Sequence, residues 1–184
     1  VVSGVGKVGQ RLVELLVGER ARVPVADVDP AAVARAVDEH GTAVVPPQAA
    51  HRTECDIFSP CALGGVLDAI TVPELRCAAV VGSANNQLGD QGSAKLLSEA
   101  GILYATDYVV NAGGLINIAE ELAPGGYGPE RAAAAVRRIF DTTAALLAMA
   151  ETDGVTTAEA ADRLAERRID DVARVHHIRT SFPR

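Results

Sequence analysis

The residues at the head of the chain whose types and spacing could do chemistry are Gly4, Gly6 and Gly9, in the run Val1-Val2-Ser3-Gly4-Val5-Gly6-Lys7-Val8-Gly9, and Asp27 beyond them. A Gly-x-Gly-x-x-Gly between a strand and a helix suits the pyrophosphate of a dinucleotide. Gly4 allows the tight turn, Gly6 lets the backbone approach the phosphates, and Gly9 lets the helix sit close to the strand. Lys7 and Val8 stand in this phosphate loop, through which phosphate can reach the helix N-terminus, where unpaired N–H groups and the helix dipole favour an anion. Asp27 lies 18 residues past Gly9, close to the roughly 20 expected for the acid that takes the ribose hydroxyls. Asp29 follows, and no Arg or Lys stands between Val23 and Ala34 to neutralise a 2′-phosphate, which favours NAD over NADP. Glycine clusters also make plain turns, and an acid before Pro30 can be a cap, so both alternatives stay open at this point.

Beyond the glycines, Leu12, Val13, Leu15 and Leu16 give a helical apolar stripe, and Val23 to Asp27 reads as a second strand. Asp29-Pro30 caps a helix over Ala31 to Glu39 that Gly41 ends. Thr42 to Val45, Cys55 to Phe58 (stopping at Ser59-Pro60), Cys77 to Val81 and Ile102 to Tyr104 are strand candidates, with a helix from Gln91 to Ala100. Strands alternating with helices predict an α/β fold, a Rossmann-type doubly wound parallel sheet. Helices are predicted over Asn111 to Leu122, Pro129 to Glu151 and Thr157 to Arg168, with Thr156-Thr157-Ala158-Glu159 as an N-cap and acidic first turn. Ala132, Val136, Ile139, Phe140, Thr143 and Leu146 or Leu147 form a stripe expected to pack. From Asp170 on there is no clear periodicity, and the adjacent His176 and His177 read as a solvated end rather than a metal site.

The composition is that of one globular domain spanning 1–184: 184 residues, 48% hydrophobic and 22% charged. The net charge of −7 disfavours a nucleic-acid partner, and there is no apolar run of membrane-spanning length. Cys55, Cys61 and Cys77 have neither metal-ligand spacing nor an even count, and are expected as reduced thiols in a cytoplasmic protein. With at most three residues before the glycine turn, the first strand is shorter than usual, and the chain is expected to be the C-terminal part of a longer protein.

Three later segments add specificity: Cys55-Asp56-Ile57-Phe58-Ser59-Pro60-Cys61-Ala62-Leu63-Gly64-Gly65, Gly82-Ser83-Ala84-Asn85-Asn86-Gln87-Leu88, and Asp107-Tyr108-Val109-Val110-Asn111-Ala112-Gly113-Gly114. In that order behind the glycine motif, they resemble the C-terminal, NAD-binding domain of the dehydrogenases that act on glutamate, leucine, phenylalanine and valine. The run from Gly154 to Ala165 is similar to the leucine/valine/phenylalanine branch, with leucine and valine dehydrogenases nearest in appearance. The resemblance implies that Cys61 and Ala62 border the cofactor, that Ala84 and Asn85 lie near the nicotinamide, with Asn85 also at the substrate carboxylate, and that Asn111 shares this neighbourhood. Each segment follows a predicted strand, where open parallel sheets bind ligands.

Asn111, Leu115 and Ile118 stand at i, i+4 and i+7 of the predicted helix. By resemblance, the position of Ile118 carries a hydroxyl in glutamate-specific relatives, and that of Leu115 is smaller in phenylalanine-specific ones. Burying a carboxylate against these two hydrocarbons would cost several kcal/mol, so the expected substrate is valine or leucine. The same stripe is also what plain core packing shows. The implied reaction is reversible oxidative deamination to a 2-oxo acid and ammonia, with hydride passing to NAD. The chain has two lysines, Lys7 and Lys95, neither placed as a base; in the family the catalytic lysines and aspartate belong to a preceding domain. No catalytic residue is therefore assigned to this chain, and a homo-oligomer is expected of the longer protein. Phenylalanine or glutamate dehydrogenase, and a non-catalytic NAD-binding regulatory module, remain the alternatives.

Overall fold

Alternation of side chains along short strands decides which face each helix covers. The computed structural model describes the backbone of residues 1–90 and 92–179, and the side chains of those through residue 174. Val2–Ser3 (β1), Val25–Ala26 (β2), Ile57–Pro60 (β3), Ala79–Val80 (β4) and Leu103–Tyr104 (β5) form a parallel five-stranded sheet in the order β2-β1-β3-β4-β5. Val1, Ala26, Phe58, Val80 and Tyr104 point into one apolar cluster with Leu67, Val72 and Leu97. Val2 and Val25 point into another with Val5, Val13, Ala32 and Ala36. Each such aliphatic side chain taken out of water contributes roughly 1.5–3 kcal/mol.

The second cluster is roofed by helices Lys7–Gly18 (α1) and Pro30–His40 (α2); the first by Ser93–Glu99 (α3) and the short 3-10 turns Pro47–Arg52 and Val72–Glu74. Helices on both faces of a parallel sheet are the predicted doubly wound arrangement. As predicted, Asp29 caps α2, its side chain accepting from the N–H of Ala31 at 2.9 Å, and Gly41 closes it.

Several boundaries differ from the sequence reading. The second strand shortens to Val25–Ala26, because Pro24 has no N–H to pair. Thr42 to Val45 contributes a single parallel bridge, Val25 to Val44, which lays this segment outside β2. Pro60 continues β3 rather than stopping it: the ladder to β1 uses the N–H groups of Ser59 and Cys61, so the proline nitrogen interrupts nothing on that side. Residue 91 lies outside the described residues, and α3 begins at Ser93.

The helix expected over Asn111 to Leu122 is observed as Gly113–Glu121 (α5), and a separate short helix that the sequence did not suggest, Asp107–Val110 (α4), precedes it with Asn111 as its C-cap. The Gly113-Gly114 pair is a poor helix interior and favours a break there. Helices Pro129–Asp153 (α6) and Thr157–Arg179 (α7) follow. The backbone of α7 runs eleven residues past Arg168; its described side chains from Arg163 on are exposed, so no apolar stripe was needed to extend it. The side chains of His176 and His177 lie outside the described residues. Along α6 the expected stripe packs at Ala132 and Leu146, while Val136 and Phe140 between them are exposed. Among the described residues no helix is long and apolar enough to cross a membrane.

Candidate functional site

The strand order reverses at β1, which pairs with β2 on one side and β3 on the other. At such a point the connections leave in opposite directions and open a crevice beyond the carboxyl ends of the strands. Gly4 follows β1, Asp27 follows β2, Cys61 and Ala62 follow β3, Ala84 and Asn85 lie beyond β4, and Asn111 lies one short helix beyond β5. Every site residue expected from the sequence outside α5 therefore lies on one edge of the sheet.

Close approach explains the glycine spacing. Gly4 turns at φ +104°, and a Cβ there would stand 2.6 Å from the backbone nitrogen of Ala62; a Cβ on Gly9 would stand 2.0 Å from the carbonyl oxygen of Gly4. Gly6 is the N-cap of α1, and a Cβ there would meet nothing within 4 Å. That open space lies before a helical turn with no acidic residue and no side-chain cap, where N–H groups are free to meet an anion. Lys7 and Val8 are exposed on this turn.

Asp27 reaches back to the same turn, accepting the N–H of Val5 on Oδ2 at 2.7 Å and that of Asp29 on Oδ1 at 2.9 Å. Each carboxylate oxygen keeps further lone-pair capacity, which suits ribose hydroxyls. Cys61 donates its N–H to the Ser3 carbonyl at 2.7 Å, pressing the 61–62 segment onto the glycine turn.

The second group of expected residues gathers around two asparagines. Asn111 Nδ2 donates to Asn85 Oδ1 at 2.7 Å and reaches the Ala84 carbonyl at 3.4 Å. The Ala84 N–H donates to the Pro60 carbonyl at 3.0 Å, and the Gly65 N–H to that of Asn86 at 2.7 Å, so the two groups are joined through the loop after β3. Leu115 and Ile118 stand apart on α5, three residues from one another, with Asn111 outside that helix. They are 71% and 57% exposed, which removes core packing within this chain as their explanation. Lys7 is exposed at the start of α1, and Lys95 is exposed on α3 beside Glu99 at 3.6 Å.

Sequence reasoning assigned no role to Gln87 and Asp107, although both stand in the quoted segments. Gln87 is fully buried and Asp107 is 6% exposed, and both bond to the loop that carries Asn85. The signal available was an amide and an acid placed just after strands, where a buried polar group must hold a backbone partner. Two surface cavities, of about 480 and 600 Å³, lie elsewhere, against Ser98, Leu103, Glu151 and Thr157 and against Cys55, Arg76, Cys77 and Ala100. Cys55 and Cys77 precede β3 and β4, so the second cavity opens at the opposite edge of the sheet. Burial pushes the Cys77 thiol above its ordinary pKa.

The reversed parallel sheet with its glycine turn defines a doubly wound α/β domain of the Rossmann type. Residues 31–176 match the family model described as Glutamate/Leucine/Phenylalanine/Valine dehydrogenase, and the chain belongs to that family. It is 46% identical to a leucine dehydrogenase of Bacillus cereus, over 91% of this chain and 45% of the relative. It is 50% identical to a valine dehydrogenase of Streptomyces virginiae, over 92% of this chain and 48% of the relative. A solved structure of L-tryptophan dehydrogenase from Nostoc punctiforme matches with a TM-score of 0.89 at 43% identity, covering 92% of this chain and 51% of that one. The chain thus spans about half the length of the curated relatives it matches.

Proposed function

We propose that this chain is the NAD-binding part of a cytoplasmic, homo-oligomeric amino-acid dehydrogenase that converts a branched-chain L-amino acid, valine or leucine, reversibly to its 2-oxo acid and ammonia. The observation that carries this reading is the gathering of Gly4, Gly6, Gly9, Asp27, Cys61, Ala62, Ala84, Asn85 and Asn111 at one edge of the sheet. The open space at Gly6 suits a pyrophosphate and Asp27 suits an unphosphorylated ribose; Lys7 and Val8 stand on the first turn of α1, next to Gly6. Bound NAD would supply the hydride acceptor. Asn85, held by Asn111, is suited to a carboxylate or a carboxamide, both of which take hydrogen bonds from an amide.

Leu115 and Ile118 offer hydrocarbon to the substrate side chain, and the names of the leucine and valine dehydrogenases among the relatives agree with this. As the family resemblance implies, the acid/base is assigned to a preceding domain; neither lysine of this chain stands in the asparagine group's bonding network. NAD and NADP titrations of the purified chain by calorimetry test the cofactor half, with NAD expected at least about tenfold tighter, a difference of about 1.4 kcal/mol. The substrate half is tested by kcat/KM ratios for valine, leucine, phenylalanine and glutamate in the protein that joins this chain to such a domain; a preference for glutamate would sink it. NADH production by the 184-residue chain alone would overturn the assignment of the base to another domain.

A further inference from the structure

The loop that leaves β4 turns two carbonyls, of Gly82 and Ala84, towards the interior, where a backbone acceptor without a partner is costly. Gln87 satisfies both, its Nε2 donating to each at 2.9 Å, from a side chain with no exposed surface. The backbone N–H of Gln87 in turn donates to Asp107 Oδ2 at 2.9 Å. The other oxygen of Asp107 accepts the N–H of Tyr108 at 2.7 Å and so fixes the first turn of α4. The N–H of Asp107 points to the Tyr104 hydroxyl at 3.3 Å, at the end of β5.

At the far end of the same helix Asn111 reaches Asn85 and Ala84. The bonds close a ring: Gln87 to Asp107, along α4 to Asn111, across to Asn85 and Ala84, and back to Gln87. Between them Asn86 holds a left-handed backbone at φ +52°, a conformation that asparagine adopts more readily than other non-glycine residues.

We infer that Gln87 and Asp107 are positioning residues: neither touches ligand, and together they hold Asn85 and Asn111 in the geometry that receives the nicotinamide end of the cofactor. This rests on the reading of Asn85 given above. A buried amide with two carbonyls on its nitrogen sets the path of the loop, and a buried carboxylate with an N–H on each oxygen sets the angle at which α4 delivers Asn111. Ligand specificity at the exposed tip is then decided by two side chains that no ligand meets.

The test compares NAD with ADP-ribose, which shares the pyrophosphate and ribose but lacks nicotinamide, by calorimetry on the chain as it stands. The wild-type chain should bind NAD more tightly than ADP-ribose. Asp107→Asn, which keeps the shape but leaves one of the two N–H groups without an acceptor, should erase most of that preference, about tenfold, while ADP-ribose affinity stays within about twofold. Gln87→Met, which keeps length and removes the donor, should do the same. In spectra of the folded variants the side-chain amide resonances of Asn85 and Asn111 should shift.

An unchanged NAD to ADP-ribose ratio in variants that melt cooperatively overturns the inference. So does a parallel loss for both ligands, which would mark a general weakening of the fold, and so does failure of both variants to fold. A wild-type chain that binds ADP-ribose as tightly as NAD instead overturns the reading of Asn85, and the inference falls with it; binding of neither removes the dinucleotide assignment altogether.

Discussion

Asp27 and Val5 are 22 residues apart in the chain and joined by one hydrogen bond of 2.7 Å, from the Val5 N–H to Asp27 Oδ2. The residue assigned to the ribose therefore also tethers the middle of the glycine turn to the end of β2. Asp27→Ser should lower the preference for NAD over NADP from at least about tenfold towards parity, because the charge that repels a 2′-phosphate is gone. It should also weaken NAD itself, since the turn loses its tether. Titration of both nucleotides against wild type and variant checks this, and unchanged discrimination removes Asp27 from the site.

Gly6 and Gly9 separate binding from folding. Gly9→Ala places a methyl 2.0 Å from the Gly4 carbonyl oxygen, and relief requires α1 to move off the sheet; the expected result is a fall in melting temperature corresponding to roughly 1–3 kcal/mol. Gly6→Ala meets no protein atom within 4 Å, so the melting temperature should hold while NAD affinity drops. Thermal melts alongside NAD titrations would separate the two. Gly6→Ala with unimpaired binding would show that the space is not used by phosphate.

Exposure makes Leu115 a test of its own assignment. Leu115→Ala should change the stability of this chain by less than about 0.5 kcal/mol, as surface substitutions do, whereas Leu146→Ala, from the 1% exposed centre of the α6–α7 packing, should cost roughly 2–5 kcal/mol. In a protein that joins this chain to a catalytic domain, Leu115→Ala should move kcat/KM from valine or leucine towards phenylalanine, by a factor within the ~1–3 kcal/mol that a methylene-scale change in a pocket allows. Ile118→Ser should relax rejection of polar substrates without creating a glutamate enzyme. If neither ratio moves, the assignment of these two side chains to substrate fails.

At the start of α7 the Glu159 carboxylate accepts the Thr156 N–H at 3.0 Å, while the Thr156 hydroxyl accepts the Glu159 N–H at 3.2 Å. Thr156→Ala removes the cap and should cost about 1 kcal/mol, read from denaturant melts. The bonds to Thr156, first its backbone N–H and then its hydroxyl, hold the Glu159 carboxyl below its ordinary value of 4.5. Its contribution is therefore fully present above about 4.5 and is lost as pH falls through the lower folded value. A melt series from pH 6 to pH 3 should show this loss in wild type and its absence in Glu159→Gln.

What could be read in the sequence was periodic or positional. The glycine spacing, Asp29-Pro30 before α2, Gly41 after it and the Thr156 to Glu159 cap are local, and each stands as expected. The short helix α4 before Asn111 was not legible, because its first residue, Asp107, is held by a residue 20 positions away. Nor could spacing distinguish a packed stripe from an exposed one: Ala132, Val136 and Phe140 stand at i, i+4 and i+8, yet Ala132 is 6% exposed and Phe140 79%. The extension of α7 beyond Arg168 was invisible for a related reason, since its side chains described through residue 174 are exposed and form no packed stripe. Gln87 looked like one more polar loop residue; only its burial and its two carbonyl partners give it a role.

The small cluster that joins α6 to α7, Leu146, Ala150, Ala160 and Ala161 with Val109, Met149 and Val155 around it, is separate from the two clusters that line the sheet. It meets the sheet domain through α4, by Val109 and by the Tyr108 hydroxyl donating to Asp162 at 2.6 Å, and a cavity of about 480 Å³ opens between it and the Ser98 to Tyr104 segment. A unit whose buried centre is one leucine and three alanines, with its own apolar cluster and a narrow attachment, can open without dissolving the rest. In hydrogen-exchange measurements the amides of α6 and α7 should form one slow-exchanging group of their own, released at lower free energy than those of β1 and β3. A protease added under native conditions should then remove the helical pair first and leave the glycine turn, Asp27 and the sheet intact.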